Sequence, residues 1–423
     1  MDGPQGFVRW CVTVVSLRTL FFLFISGLTH YLAARWLLGT FSPAVRAKRK
    51  RLVFGIAGGL ATLLGTARFL ANFFESTSMR TVIAVAMLEL GAIAIGLLPL
   101  GIMWLAIHLG SMLSWMLRRK TRTTPEASEA DDAPEVAAPD PALVSRRQAI
   151  ERVVGVSLFA STTAALGWGT VRGRHAFAIE EVVVRVKGWP PALEGYTIAQ
   201  VSDVHVGTFV RDRELDEGFE LVKRIKPDLV VATGDLVDFE SEAVELLALR
   251  LLASGARDGA YAIVGNHDHY AGPADVVRRL RAAGVTALCN QSLRIREGDG
   301  GGFALVGLDD MQGRFRPSSG FSGPDLIAAT QGLAPDLPQI LLAHQPRYFR
   351  EAAGRVALQL SGHTHGGQIN PGFRPADLLM EYVAGRYERN GSTLWVNRGF
   401  GVAGPPSRVG APPEVTKIVL VSG

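Results

Sequence analysis

The sequence predicts an α/β domain carried behind a set of transmembrane helices, and three observations lead there. A mean hydropathy of +0.20 and a 48% hydrophobic content are high for a chain without membrane segments. Long apolar stretches crowd the first 117 residues. From about residue 179 onward, short runs rich in Val, Ile and Leu alternate with longer amphipathic segments, the pattern of strands interleaved with helices.

The apolar stretches cover residues 8–38, 52–74 and 81–117, each long enough for the roughly 20 residues that cross a bilayer core. The third holds either one long span or, broken near Pro99, a span and an interfacial helix, so residues 1–117 read as about three spans. "RAKRKR" (46–51) follows the first and "RRKTR" (118–122) the third, while "ESTSMR" (75–80) is nearly neutral. The bias of basic loops toward the cytoplasm then sets the N-terminus outside. Arg68 and Glu89 fall at similar depth on neighbouring spans, and because a lone charge in hydrocarbon is costly they either pair or part, with Arg68 snorkelling to the outer headgroups and Glu89 protonated or facing a neighbouring helix.

Residues 118–148 form a linker on the cytoplasmic side, rich in Pro, Ala and acid, which cannot bury enough apolar surface to fold. Residues 149–170 follow an arginine pair, Arg146-Arg147, and read as a fourth span or a twin-arginine-like signal anchor. Ala149, Ile150 and Glu151 depart from the usual twin-arginine pattern. Either reading sends residues 179–423 outside, and "HAFA" (175–178) offers a cleavage site after residue 178. The expected location is the inner membrane, multi-pass, with the C-terminal domain on the extracytoplasmic side.

Charge narrows the function. Residues 1–178 carry 19 Lys and Arg against 10 Asp and Glu, whereas residues 179–423 carry 25 against 29. The basic excess belongs to the apolar half, where it is a topology signal, and a mildly acidic second half excludes a nucleic-acid groove. Cys11 and Cys289 are too few for a disulfide framework.

Within 179–423 the strand-like runs are "YTIAQVSD", "DLVVATGD", "AYAIVGNHD", "FALVGLDD", "QILLAHQP", "LQLSGHTH", "STLWVNRG" and "TKIVLV". Helices are expected over 213–225 and 273–284, and "GDGGG" (298–302) marks a hairpin turn. Polar residues sit where the apolar runs end: Asp203 and His205, then Asp235, then Asn266, His267 and Asp268, then His344, then His363 and His365. In an α/β sheet, ligands bind at the carboxyl ends of strands, so this ordered set of carboxylates, imidazoles and one amide points to a metal pair. His363 and His365, at i and i+2 in extended chain, share one face.

This set resembles the calcineurin-like metallophosphoesterases over roughly residues 195–423. The resemblance implies a sandwich of two central β-sheets flanked by helices. It also implies a dinuclear centre in which Asp203, His205 and His365 hold one metal, Asn266, His344 and His363 the other, and Asp235 bridges them. Oxygen and nitrogen donors without thiolate suit Mn²⁺ first, with Fe or Zn²⁺ as the other choices. A hydroxide bridging the two cations would attack phosphorus in line, His267 would protonate the leaving oxygen, and Asp268 would orient its ring.

The loop "GHTHGGQI" and the tail "NRGFGVAGPPSRVGAPPE" (397–414) resemble the membrane-associated bacterial branch of that family. That likeness implies phosphoester or pyrophosphate hydrolysis at the outer membrane face, on a phosphorylated small molecule or a lipid-linked substrate. Arg374, Arg398 and Arg408 are either phosphate clamps or structural arginines. Asp238, Asp309 and Asp310 read as turn residues or helix caps before metal ligands, and His269 as a loop histidine or part of the site lining. The competing reading is a membrane sensor with a non-catalytic metal domain, against which the intact Asn266, His267 and Asp268 stand.

Overall fold

A computed structural model describes residues 20, 23–39, 41–71, 82, 84–88, 91–93, 109, 110, 112, 116, 146–298, 301–318 and 320–423. The chain divides into two compact units, Met1–Leu166 and Gly167–Gly423. In the first, helical residues 23–39 pack on helix α1 (Pro43–Ala71). Tyr31 stacks on Phe54 with ring centroids 5.7 Å apart, and Ser26 Oγ donates to Ala61 O at 3.1 Å. Phe24, Leu52, Ile56 and Leu63 remain exposed. Helix α2 (Arg146–Val171) begins three residues inside the expected linker. Among the described residues, Arg152–His175 is the one helical stretch long and apolar enough to cross a membrane. Much of the expected spans and most of the linker lie outside the described residues, as does Glu89 and with it the Arg68–Glu89 pair.

All eight apolar runs in the second unit form strands, and the expected helices appear as α3 (Asp212–Ile225) and α6 (Pro273–Ala283). Between them lie α4 (Val244–Leu252) and the short α5 (Asn266–Ala271). The strands build two six-stranded mixed sheets. The first has the order β1 (Ala178–Val186), β12 (Glu414–Ser422), β2 (Tyr196–Val201), β3 (Leu229–Thr233), β4 (Ala260–Ile263), β5 (Thr286–Ala287). The second has the order β10 (Gly385–Arg389), β11 (Ser392–Val396), β9 (Leu358–Ser361), β8 (Gln339–Leu342), β7 (Phe303–Gly307), β6 (Gln291–Ile295). β6 and β7 pair antiparallel across the glycine-rich turn, of which residues 299 and 300 lie outside the described residues.

The burial pattern follows from these positions. β3 has a parallel neighbour on each side and all five of its residues are buried, as a continuous apolar run predicts. One core cluster fills the space between the sheets, with Val184, Ile198 and Val231 from the first sheet and Leu305, Ile340 and Leu360 from the second. Phe303 sits in it with its ring centroid 5.2 Å from those of both Trp189 and Tyr196. On the outer face of the first sheet, α3 buries Leu215, Phe219 and Val222, one stripe at helical spacing, each contributing about 1.5–3 kcal/mol by burial. The result is the expected sandwich. One consequence differs from a single open sheet: β2, β3 and β4 belong to the first sheet and β8 and β9 to the second, so the motif-bearing strand ends reach one place from both.

Candidate metal centre

The strand ends that carry the polar residues stop abruptly. Asp203 and His205 after β2, Asp235 after β3, and His363 and His365 after β9 all hold left-handed backbone, with φ of 50°, 52°, 49°, 73° and 51°. Such conformations cost a non-glycine residue about 1–3 kcal/mol and persist where the surroundings enforce them. Their gathering where the strand ends of both sheets meet is a structural mark of a functional site. Gly234 (φ 88°) makes the close approach possible, because a Cβ there would run into the His344 ring.

Three trios of donor atoms come within ligand distance of one another; one is His205, Asp238 and His267, and the other two form the clusters that match the expected ligand sets. In the first, Asp203, His205 and His365 bring ligand atoms within 4.8 Å of one another. His205 Nε2 lies 3.1 Å from His365 Nε2, which is 3.6 Å from Asp203 Oδ1. In the second, Asp235, His344 and His363 converge, and Asn266 joins them. His344 Nε2 lies 3.3 Å from Asp235 Oδ1, 3.2 Å from Asn266 Oδ1 and 3.3 Å from His363 Nδ1. Asp235 belongs to both, since its Oδ2 lies 3.6 Å from His205 Nε2 while its Oδ1 faces His344.

The donor chemistry fits cations. His344 Nδ1 is 2.8 Å from Thr233 O, so that nitrogen carries a proton and donates, and Nε2 turns its lone pair inward. There it faces the Asp235 and Asn266 oxygens, an arrangement that a positive centre satisfies. A divalent cation supplies it, and a second ring proton is the weaker substitute. Burial disfavours that second proton, yet the Asp235 carboxylate holds the His344 imidazole well above its ordinary range. In the first cluster, burial also opposes the charge on His205, and Asp238 with Asp235 raises it nonetheless. Burial, the neighbouring His205 and the Arg408 guanidinium keep His365 well below its ordinary range. Burial and the neighbouring His344 lower His363.

His267 stands beside both clusters without joining either. Its ring meets His205 edge to face at 4.5 Å, its backbone N–H donates to Asp235 Oδ1 at 2.8 Å, and its Nδ1 lies 3.3 Å from Asp238 O. Burial lowers its pKa. Phe239 and Tyr270 flank the ring at 5.8 and 5.4 Å.

The role expected of Asp268 is corrected. Its carboxylate accepts from the backbone N–H groups of Gly265, Leu236 and Val237 at 2.7, 3.0 and 3.1 Å, which pins the β3 and β4 ends together. Burial and the Asp235 charge push it up to about 7 against those three donors. The ring of His267 is oriented by Asp238, which also lies 3.5 Å from His205 Nδ1 and so stands behind two site histidines. Sequence reasoning set Asp238 among the turn residues. Its spacing three positions after Asp235, on the same strand-end loop, was the available signal.

Arg408 is the second residue whose place only the fold reveals. It is a phosphate clamp in no sense, being 1% exposed, with its guanidinium donating to the carbonyls of Gly401, His365, Arg398, Ala411 and Gly399 and lying 3.1 Å from His365 Nδ1. Burial lowers it to about 10. Arg374 pairs with Asp377 at 2.8 Å, and Arg398 with Glu180 and Glu414 at 2.5 and 3.0 Å. Asp309 accepts from Gly323 N and Asp310 from Gln312 N, each at 2.7 Å, the expected turn duty. His269 is neither solvated nor lining the site, for it is buried 2.8 Å from Asp309 Oδ1.

Residues 196–367 match the family model described as calcineurin-like phosphoesterase. A "Transmembrane protein with metallophosphoesterase domain" of Bos taurus is 34% identical over 263 residues, which cover 60% of this chain and 59% of that protein. The chain thus spans less than two thirds of that relative's length. An "Uncharacterized metallophosphoesterase YkuE" of Bacillus subtilis is 31% identical over 66% of this chain and 98% of its own length. An "Uncharacterized metallophosphoesterase" of Aquifex aeolicus is 32% identical over 58% of this chain and 92% of its own length.

Proposed function

Because the chain belongs to the calcineurin-like metallophosphoesterases, metal-dependent hydrolases that bind divalent cations through clustered His and Asp residues, we propose that it works as a dinuclear phosphohydrolase at the outer face of a membrane. Asp203, His205 and His365 would hold one cation, Asn266, His344 and His363 the other, with Asp235 shared. The observation that carries the dinuclear reading is the single carboxylate of Asp235 presenting one oxygen to each cluster.

Bound cations would supply Lewis acidity toward phosphoryl oxygens and make an attacking water more acidic. The protein's own part is to fix positions. With Nδ1 of His267 donating to Asp238 O, Nε2 is the nitrogen left to face the departing oxygen, and it would hand over a proton only from the imidazolium form, which burial disfavours and the Asp235 and Asp238 charges favour. Phe239 and Tyr270 pack against that ring and limit its rotation. Backbone donation from His363 to Asp203, at 2.8 and 2.9 Å, holds that carboxylate in place.

Membrane attachment is supported by the apolar stretch Arg152–His175 behind the Arg146-Arg147 pair and by the transmembrane name of the bovine relative. The domain order follows the sequence: helices over 1–117, a linker over 118–148, an anchor over 149–170, and the catalytic domain over 179–423 on the extracytoplasmic side. The substrate class is a phosphorylated small molecule or a lipid-linked phosphoester or pyrophosphate.

Purified full-length protein, stripped by chelator and reloaded with Mn²⁺ or Zn²⁺, is expected to take up two equivalents and to hydrolyse bis(p-nitrophenyl) phosphate. Elemental analysis giving one equivalent or none at full activity would refute the dinuclear reading.

A further inference from the structure

Exposed apolar side chains of the second unit concentrate on one short segment, with Leu378, Leu379 and Met380 consecutive. Phe373, Leu378, Leu379 and Met380 are 61%, 80%, 89% and 47% exposed. They lie on one excursion of the chain between Asn370 and Tyr382, part of it a 3₁₀ turn, Pro375–Leu378. Soluble surfaces seldom present adjacent leucines this fully, and a compact patch of them marks an interaction surface.

Both ends of the excursion are fastened to the metal-bearing loop. At its start, a Cβ on Gly367 would sit 3.2 Å from the Arg374 side chain and 3.5 Å from Ala376. At its return, Thr364 Oγ1, between the two loop histidines, donates to Val383 O at 2.5 Å. The apolar tip is therefore a prong carried by the loop of His363 and His365.

The same loop touches the end of the apolar helix. Val409 N donates to Gln368 O at 2.9 Å and Asn370 N to Val409 O at 2.7 Å, while Arg408 N donates to Gly169 O at 3.2 Å. Gly169 lies within the stretch Arg152–His175. Prong, metal loop, 407–409 segment and helix end thus follow one another in direct contact.

We propose that this prong docks on the lipid bilayer crossed by that helix, dipping Phe373, Leu378, Leu379 and Met380 among the headgroups. The inference rests on the reading of Arg152–His175 as a span. A helix that leaves a bilayer at His175 sets the segment bonded to Gly169 at the membrane surface, and the prong is the apolar feature of that neighbourhood. Shallow insertion of this kind reaches about 5–10 Å into the headgroup boundary, a depth that side chains on a surface excursion can reach. Its consequence is that the metal loop faces headgroups, so the site would take phosphoryl groups presented by lipid.

Full-length protein with Cys11→Ser and Cys289→Ser, in nanodiscs of phosphatidylethanolamine and phosphatidylglycerol, tests this through nitroxide labels at single cysteines. Ala164→Cys reports the span, Leu379→Cys and Phe373→Cys the prong, and Ile327→Cys, 75% exposed, the aqueous reference. The expected ratio of oxygen to nickel-complex collisions is several-fold higher, about threefold or more, at 373 and 379 than at 327, because oxygen concentrates in lipid. Labels at 373 and 379 that match 327 overturn the docking, and labels shielded from both reagents overturn it in favour of a protein partner. If 164 itself is aqueous, the span reading fails and the docking with it. Hydrolysis of bis(p-nitrophenyl) phosphate by the same samples reports the enzymatic reading separately.

Discussion

The two donor clusters use similar residue types but are held in different ways. Asp203, His205 and His365 are 0%, 1% and 6% exposed, and a buried arginine backs one of them. In the second cluster Asp235 and His344 are equally buried, whereas His363 and Asn266 are only half-buried, beside the half-buried His267. A sealed cluster and an open one, joined through a single carboxylate, suit different duties. On the proposed dinuclear reading, the sealed one would retain its cation and the open one would meet substrate.

The largest test of this contrast removes what the two share. Asp235→Asn is expected to lower metal content at both clusters and to reduce turnover by more than about 10²-fold, beyond the range of an outer partner. Elemental analysis and steady-state rates check it. If one full equivalent survives, the clusters are not joined through Asp235.

His267→Ala sharpens the line between holding metal and moving a proton. It should keep the metal content of the unaltered protein and lose roughly 10²-fold in kcat, the scale of general acid catalysis. The loss should shrink for esters with a good leaving group such as p-nitrophenolate, since these need no proton. Equal losses on good and poor leaving groups would remove the acid role.

Arg408→Leu probes the sealed side alone. Five backbone carbonyls lose their donor, so stability should fall by about 2–5 kcal/mol, and metal affinity at the first cluster by about 10-fold. Competition with a chelator should show a new, weaker site with the other unchanged. Loss of both sites together would mean that Arg408 supports the whole loop and not His365.

The smallest effect concerns Asp268→Asn. An amide retains one acceptor oxygen but offers an NH₂ to backbone donors, so unfolding by denaturant should show a loss of about 1–3 kcal/mol. The metal-loaded variant should keep near-normal kcat, which a partner of His267 would not.

Much of the fold was legible locally. Runs such as Leu229–Thr233 and Leu358–Ser361 are short, β-branched or aliphatic and bounded by Gly, so strand type followed from composition. The strand β1, "AIEEVVVRV", escaped that reading because charged residues interrupt it. It forms because it pairs along its whole length with β12 near the end of the chain, a partner no local window contains. The position of the metal-seeking residues at strand ends was equally visible, since Gly-Asp, Gly-Asn-His-Asp and Gly-His-Thr-His each follow an apolar run.

By itself the sequence determined which residue types stand at the ends of which strands, because backbone preference and hydrophobic period act over a few residues. It did not determine their outer partners. His205 meets His365 across 160 positions and His344 meets Thr233 across 111, through two sheets whose stacking is set by the core between them. The same holds for Asp238 behind His267, for Asp268 under the β3 and β4 ends, and for Arg408 against His365. A buried polar side chain takes the partner that packing delivers, and its desolvation leaves it no alternative in water. Tertiary structure therefore decided the roles of these three residues, each of which the chain alone would have assigned to a turn, a catalytic dyad or a phosphate.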